Sequence, residues 1–198
     1  TTVCRDDLAD QGAAHVAECI KEVKRLCPKM LLEVLIQDFR GERSALELVL
    51  EAGADVVAHN VETVERLTPL ARDSRATYRQ SLAVLAMVKQ LRPSVTSKSS
   101  LMLGLGETQN ELIGCLQDLR AVGVEVVTMG QYLRPSQNGR HLPVSDYVPP
   151  ERFQELRRAA EGMGFLYVAS GPLVRSSYRA ADFYLKAHKG LYSRCLKP

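Results

Sequence analysis

Apolar residues along the chain follow two alternating spacings, one typical of strands and one typical of helices. Short apolar runs rich in β-branched residues predict strands at residues 1–4, 30–39, 54–61, 95–106, 124–133 and 165–170. Between them, apolar residues recur every three or four positions, which predicts helices at 13–27, 43–53, 78–91, 108–123 and 149–164. Thr108, followed by Glu111, has the pattern of a capping box at the start of one helix.

This alternation of strand and helix predicts an α/β fold of parallel strands joined by right-handed crossovers, either a barrel or an open sheet. In both architectures the chemistry lies at the carboxyl ends of the strands. Polar residues concentrate after the predicted strands, in the stretches RDD, QDFRG, HNVE, GLGE and QYLRPS. The predicted helices end only in Gly and Pro. We therefore expect the functional residues at one rim of the sheet, where the strands end, and none at the opposite rim, where the strands begin.

Composition narrows the class of protein. The 198 residues carry 26 Lys and Arg against 23 Asp and Glu, a net charge of +3, which is too even to predict a nucleic-acid surface. No apolar run approaches the ~18 residues of a membrane span. The five cysteines are scattered without metal-ligand spacing, so we expect free thiols, with Cys19 and Cys115 buried in helices.

Several rim residues are candidates for ligand binding, and each has a plain structural alternative. Gly104 and Gly106 with Glu107 suit either a tight turn or the approach of a planar ligand. Asn60 and Glu62 suit ribose hydroxyls or an amino group. Asp6 or Asp7 could cap the next helix or accept hydrogen bonds from a ligand ammonium group. Lys98 is expected to meet a carboxylate in a polar barrel lumen. His59 is more typical of a core histidine whose ring nitrogens are both hydrogen-bonded.

The stretch RSSYR, residues 175–179, is the least ordinary. Ser176 or Ser177 could cap a helix over the following apolar pattern. Alternatively, two arginines and two hydroxyls suit an anion. No hydrolase triad is predicted, because GxSxG is absent and no His and Asp pair can be assigned to either serine.

Seven blocks in order, RDDL…GAAH, DFRG, HNVETV, SKSSLMLGLGE, GQYLRPS, HLPV and GFLYVASGPLVRSSY, resemble the lipoyl synthase family from Thr1 to about Leu185. The resemblance implies a partial (β/α)6 barrel of the radical S-adenosylmethionine (SAM) type, incomplete at its N-terminal side. It implies a single domain over residues 1–185 and a basic tail over 186–198. It also implies a sulfurtransferase that inserts two sulfur atoms at C6 and C8 of a protein-bound octanoyl chain.

Members of that family use SAM and two 4Fe–4S clusters, one of which cleaves SAM to a 5′-deoxyadenosyl radical while the other donates sulfur. Both cysteine motifs that hold these clusters are absent here, so we expect the chain alone to be inactive and to lack an N-terminal portion. The family pattern assigns Ser177 as the serine ligand of the auxiliary cluster, supported by Arg175, Ser176, Tyr178 and Arg179. It places on the SAM rim the residues Asp6, Asp7, Asn60, Glu62, Lys98, Gly104, Gly106, Glu107 and Arg134.

The resemblance further implies octanoylated carrier proteins as partners, namely lipoyl domains and the glycine cleavage H protein. It implies a monomer that binds neither nucleic acid nor membrane, in a bacterial cytoplasm or in a mitochondrial or plastid matrix. Two alternatives remain open. One is another radical-SAM sulfurtransferase similar to biotin synthase, and the other is a non-catalytic protein that binds an acylated carrier.

Overall fold

The computed structural model describes residues 1–136, 139 and 141–178. The strands in this part are β1 (Glu33–Leu35), β2 (Val56–Ala58), β3 (Thr96–Leu103), β4 (Val126–Gln131) and β5 (Tyr167–Ser170). The helices are α1 (Ala13–Leu26), α2 (Arg43–Glu51), α3 (Thr68–Ala71), α4 (Tyr78–Leu91), α5 (Gln109–Ala121) and α6 (Pro150–Gly162). Two short 3₁₀ turns, Phe39–Gly41 and Glu65–Leu67, follow β1 and precede α3.

The strands form one parallel sheet in the order β1-β2-β3-β4-β5, so each strand pairs with its neighbour in sequence. The longest ladder joins β3 to β4, from Lys98 opposite Val126 to Leu103 opposite Gln131. All five carboxyl ends therefore meet at the same edge of the sheet, the rim.

Alternate residues of each strand point to opposite faces, and within the described residues the helices cover only one of these faces. Apolar side chains from α1, α2, α4, α5 and α6 pack onto that face in two large clusters. The strand residues buried beneath them include Val34, Val57, Leu101, Val127 and Val168. A sheet covered on a single face is the wall of a barrel, whereas an open doubly wound sheet carries helices on both faces.

The opposite face, called the inner face here, is largely polar. It carries Lys98, Ser100 and Thr128, and the Thr128 hydroxyl donates to the Ser100 hydroxyl at 2.8 Å. Two buried valines and a half-buried tyrosine form a small apolar cluster on the same face. The predicted α/β class and the partial barrel of parallel strands are confirmed.

The first residues depart from prediction. Residues 1–4 do not form a strand, although the Thr2 N–H donates to the Leu35 carbonyl at 3.0 Å beside β1. The start of α1 is held by Asp10, whose carboxylate accepts from the N–H groups of Gly12 and Ala14, so the predicted cap by Asp6 or Asp7 is wrong. Asp10 lies closer to the helix, where its side chain reaches the first free N–H groups.

The cysteine prediction is right at one of its two positions. Cys115 is buried in α5, whereas Cys19 is exposed on α1. Over the part of the chain that the structure describes, no helix combines the length and the apolar character that crossing a bilayer requires.

Candidate functional site

The rim encloses a cavity of about 250 Å³ at the carboxyl ends of β2, β3 and β4. Its floor comes from the sheet, and one side comes from the segment that follows β5. The polar groups lining it are Asn60, Glu62, Ser100, Gln131, Arg175 and Ser176. The structure thus brings together two residues predicted for the SAM rim, Asn60 and Glu62, with two predicted to support the cluster serine.

Glu62 is held by its backbone in an unusual position. Its φ of 66° lies in the left-handed region, which a residue with a side chain rarely adopts. Hydrogen bonds on both sides fix it against β3, since its N–H donates to the Ser100 carbonyl and its own carbonyl accepts from the Met102 N–H. Strain of this kind persists where the surrounding structure holds it, often at functional sites.

The Glu62 carboxylate accepts a hydrogen bond from Asn60 Nδ2 at 3.1 Å. Burial raises the pKa of this carboxyl above its usual range, while the Asn60 hydrogen bond acts in the opposite direction. Because the Asn60 amide turns its NH₂ toward Glu62, its Oδ1 faces away, and that atom is buried without a partner among the described residues. Asn60, which lines the cavity, therefore carries a buried acceptor without a donor.

The segment after β5 reaches the cavity by lying directly on β4. Gly171 N–H donates to the Met129 carbonyl at 3.1 Å, and Gln131 N–H donates to the Pro172 carbonyl at 3.3 Å. A Cβ at Gly130 would lie 2.0 Å from the Val174 carbonyl oxygen, so the close approach requires glycine there.

The predicted cluster serine lies at the end of this segment. Residues 175–178 form a turn in which the Tyr178 N–H donates to the Arg175 carbonyl at 2.9 Å. Ser176 is half-buried against the cavity, whereas Ser177 and Tyr178 are exposed. Arg175 donates to the Val174 carbonyl at 2.7 Å. Arg179, together with the apolar pattern that either serine might cap, lies outside the described residues.

Asp6 and Asp7 are on the rim side of the sheet but are engaged with arginines. Asp6 accepts from Arg40 at 3.1 Å and from Arg75 at 2.8 Å, and Asp7 pairs with Arg5 at 2.6 Å. Neither aspartate lines the cavity beside Asn60 and Glu62.

Lys98 points into the inner face and meets a carboxylate, as predicted. Its Nζ donates to Glu33 Oε1 at 2.6 Å, and its side chain is 1% exposed. Because Glu33 opens β1, the pair lies toward the end of the sheet opposite the rim. In this structure the Lys98 ammonium group pairs with a carboxylate of the protein itself.

Gly104, Gly106 and Glu107 line a different cavity, of about 300 Å³, between the β3–α5 turn and α6. Glu107 accepts hydrogen bonds from the N–H groups of Gly104 and Leu105, at 2.6 and 2.9 Å, and so closes the turn. Both glycines have φ of 99°. A Cβ on Gly104 would meet the Asp146 carbonyl at 2.3 Å, so the close neighbour there is the protein's own loop. These contacts match the tight-turn alternative, and the predicted approach of a planar ligand stays a prediction.

Arg134 lies on the exposed loop after β4, where it donates to the His141 carbonyl at 3.1 Å. It does not line the cavity of Asn60 and Glu62. His59 is a satisfied core histidine, as expected, with Ile36 and Ser81 as partners.

Comparison with known proteins gives high identity over nearly the whole chain. The chain is 54% identical over 186 residues to a mitochondrial lipoyl synthase of Branchiostoma floridae, 55% to that of Candida tropicalis and 54% to that of Aspergillus flavus. These alignments cover 94% of this chain.

Along nearly its whole length the chain is similar to lipoyl synthases.

It spans about half the length of the curated lipoyl synthases it matches, 49% for the first two and 44% for the third. No family model matches the chain. Among solved structures, methylornithine synthase aligns with a TM-score of 0.56 at 13% identity, over 93% of this chain and 63% of that one. A phosphonomutase of Burkholderia cenocepacia aligns with a TM-score of 0.52 at 11% identity, over 92% and 76%. At such low identity these likenesses show the fold alone, and they agree with a partial barrel.

Gln131, the first residue of the stretch QYLRPS predicted at a strand end, lines the cavity, and its amide donates to the Asp146 carbonyl at 3.0 Å. Two further residues, Gly130 and Arg72, were not singled out from the sequence. Gly130 could have been found, because a glycine inside a strand often marks a close backbone approach. Arg72, which follows α3 and donates to Ser81 at 2.8 Å, carries no periodic signal in the sequence.

Iron–sulfur clusters of the kind that lipoyl synthases use need a group of side chains that can bind iron. The four described cysteines are all free thiols, and three of them are exposed. Across residues 1–136, 139 and 141–178, no three His, Cys, Asp or Glu side chains are grouped to hold a metal ion. The described residues thus do not by themselves form an iron–sulfur site, and Ser177 is the one predicted cluster ligand in them.

Proposed function

We propose that this chain is part of a lipoyl synthase, a sulfurtransferase that uses SAM and iron–sulfur clusters to insert two sulfur atoms at C6 and C8 of a protein-bound octanoyl chain. The observation that carries the proposal is the 54–55% identity to lipoyl synthases over 94% of the chain. The parallel barrel wall and its polar rim are consistent with it.

For SAM, the proposal centres on Asn60 and Glu62. They share a cavity, and Asn60 Oδ1 is a buried acceptor in need of a donor. A ribose hydroxyl or an ammonium group would supply that donor. Asp6, Asp7, Lys98, Gly104, Gly106, Glu107 and Arg134 have partners in the protein, so their contacts with SAM stay predictions.

For the auxiliary cluster, we propose Ser177 as the oxygen ligand. Its exposure at the end of a segment anchored on β4 leaves the hydroxyl accessible to a group above the rim. Arg175 beside it would offset negative charge. Bound clusters would supply electrons and sulfur, and the described residues lack the cysteines to hold them, so no reaction step is derived through them.

The proposed acyl substrate is carried by octanoylated lipoyl domains or by the H protein of glycine cleavage. The relatives named mitochondrial favour a mitochondrial matrix for the whole protein if it is eukaryotic. We also propose one barrel-type unit over residues 1–185 and a basic tail over 186–198, of which residues 179–198 lie outside the described part.

The activity is tested on the protein prepared at the length of its curated relatives, reconstituted anaerobically with iron and sulfide. Incubation with SAM, a reductant and an octanoyl-lysyl peptide should yield 5′-deoxyadenosine and a lipoyl-lysyl product, detected by mass spectrometry. Failure to form either compound in a preparation with intact clusters would overturn the proposal. Formation of deoxyadenosine with sulfur inserted into another substrate would point to a different sulfurtransferase.

A further inference from the structure

The connection between β4 and α6 is long and has neither helix nor strand among its described residues. It runs over residues 132–149, from the end of β4 at Gln131 to the start of α6 at Pro150. Residues 137, 138 and 140 of it lie outside the described part. Connections longer than about 12–15 residues without secondary structure are uncommon in compact domains, and most of them are functional loops or disordered linkers.

Hydrogen bonds fix this connection against the rest of the rim. The Tyr132 hydroxyl donates to the Leu142 carbonyl at 2.8 Å, and the Ser145 N–H donates to the Gly104 carbonyl at 2.8 Å. A disordered linker would lack such specific backbone partners, so the contacts favour a functional loop held by the sheet behind it.

The side chain of Gln131 ties the later part of the connection to the rim cavity. Its Nε2 donates to the Asp146 carbonyl at 3.0 Å, and its Oε1 accepts from the Val148 N–H at 2.9 Å. Gln131 is buried and lines the cavity. Tyr147, which lies between the two bonded residues, is therefore held beside that cavity.

Two large apolar side chains of this region face solvent. Tyr147 is 72% exposed and Leu133 is 51% exposed. Tyr147 lines neither the rim cavity nor the cavity between the β3–α5 turn and α6. A small ligand in either cavity leaves this ring uncovered, whereas a protein lying over the rim covers it. Tyrosine and arginine are enriched where proteins contact each other.

Arg134 adds a positive charge next to Leu133. Its Nε donates to the His141 carbonyl at 3.1 Å, and it forms no ion pair with any residue that the structure describes. Arg66, on another rim loop, is by contrast paired with Glu111 at 2.6 Å. A carboxylate on a partner protein would give Arg134 the ion pair that the described chain does not supply.

We propose that Leu133, Arg134 and Tyr147 form a docking surface for the folded protein that carries the octanoyl chain, with a carboxylate of that protein at Arg134. The inference rests on the proposed function, in which the substrate is bound to a protein. An acyl chain attached to a protein enters the rim cavity when that protein lies against the rim. The docking surface is at the right place, because Leu133 itself lines the cavity.

Two substrates separate docking of the carrier from the chemistry. An octanoylated lipoyl domain presents a whole protein surface, and a short octanoyl-lysyl peptide lacks it. Both are assayed with the protein prepared at the length of its curated relatives, and the lipoyl product is measured by mass spectrometry. Tyr147→Ala should raise KM for the lipoyl domain by about tenfold with kcat unchanged, and should leave conversion of the peptide as it was.

Two further variants and the salt concentration complete the test. Tyr147→Phe keeps the ring, so both substrates should be converted within about twofold of the normal rate. Leu26→Ala is the matched control, since Leu26 is 63% exposed but ends α1, which leads into the amino end of β1. It should convert both substrates normally. Added salt should lower kcat/KM for the lipoyl domain more than for the peptide, because it screens the ion pair at Arg134.

The docking surface is rejected if Tyr147→Ala converts the lipoyl domain normally, or if it loses conversion of both substrates equally. A changed oligomeric state of this variant, measured by light scattering, would place a second copy of the chain on the surface instead. A lower free energy of unfolding would place another part of the same protein there. If the unchanged protein converts the peptide but not the lipoyl domain, the activity stands and the docking surface fails. If it converts neither, the proposed function fails as well.

Discussion

At the scale of single residues, two glycines determine how loops lie against the sheet. Gly104 leaves room for the Asp146 carbonyl and the Gln131 amide, and Gly130 leaves room for the Val174 carbonyl. In both places the neighbouring atom is backbone or a buried side chain, which cannot swing aside as an exposed side chain would. The rim therefore depends on the absence of two Cβ atoms.

Gly130→Ala should destabilise the protein by about 3 kcal/mol, because the new methyl overlaps the Val174 carbonyl and the segment after β5 must leave β4. Urea denaturation measures the change. Gly114→Ala is the control, since Gly114 lies inside α5 with no atom within 4 Å of the added Cβ. Its helix propensity should make that variant more stable by about 1 kcal/mol. Equal effects at both positions would contradict this account.

Ser177→Ala should abolish formation of the lipoyl product in the reconstituted protein, because the proposed cluster would lose its oxygen ligand. Mass spectrometry of the octanoyl-lysyl peptide is the readout, with the iron content measured in parallel. Ser94→Ala, which removes an exposed hydroxyl from the turn after α4, should react at the normal rate. Normal turnover of the Ser177 variant would remove this serine from the cluster.

The kind of residue at the strand ends was easier to predict from sequence than the partner that each one contacts. Sequence placed polar groups at strand ends, and Asn60 and Glu62 do share a cavity. It could not show that Asp6 is held by two arginines or that Lys98 pairs with Glu33, because these partners are distant in sequence. Long-range pairing depends on the register of the sheet, and a single sequence does not give it.

At the scale of elements, the longer helices were predicted within about two residues and the strands less closely. Periodic apolar residues and explicit caps define helices such as α4 and α5. The apolar runs that predicted strands continue past the ladder, so that β2 comprises only Val56–Ala58 of the predicted 54–61. Of the residues beyond the ladder, His59 is buried in the core and Asn60 lines the rim cavity. The 3₁₀ turns and α3 were not predicted, since elements of three or four residues are too short to show a period.

Helix α5 begins with a complete capping box, in which Thr108 and Glu111 bond each other's backbone. Glu111 also pairs with Arg66 at 2.6 Å. The Arg66 guanidinium and the Thr108 N–H together lower the pKa of Glu111 from 4.5 to about 2. Since its folded-state pKa is below that of the unfolded chain, Glu111 stabilises the fold above pH 4.5, and this contribution is lost as the pH falls toward 2.

Glu111→Gln should therefore flatten the loss of stability between pH 4.5 and about 2, and should lower stability near pH 7. Urea midpoints across this pH range provide the measurement. Glu18→Gln, on the exposed side of α1, serves as the control and should keep the acid slope of the unchanged protein. A Glu111 variant with that same slope would rule out the proposed linkage.

At the scale of the whole molecule, the inner face of the sheet carries a buried ion pair beside its small apolar cluster. Lys98 is almost fully buried, and its partner Glu33 has one carboxylate oxygen, Oε2, that is buried without a hydrogen-bond partner among the described residues. The pair connects β1 to β3 across β2. Removing one member leaves the other as a poorly solvated charge, which is more costly than removing both.

Lys98→Met should lower the free energy of unfolding by about 3 kcal/mol, because Glu33 is left without its cation. The double variant Lys98→Met/Glu33→Gln should regain part of that loss. A double-mutant cycle from urea denaturation measures the coupling. Additive losses in the cycle would mean that the two side chains do not support each other.

Each strand of the sheet pairs with the strand made just before it. In the order of synthesis, each strand from β2 to β5 therefore follows the strand that it pairs with, and none of them has to enter between two older described strands. Loop closure then spans one strand–helix unit at a time, which keeps its entropic cost low for a parallel sheet. Because β5 is the last of the described strands to be made, the segment carrying Ser176 and Ser177 is synthesised only after every described strand on which it lies.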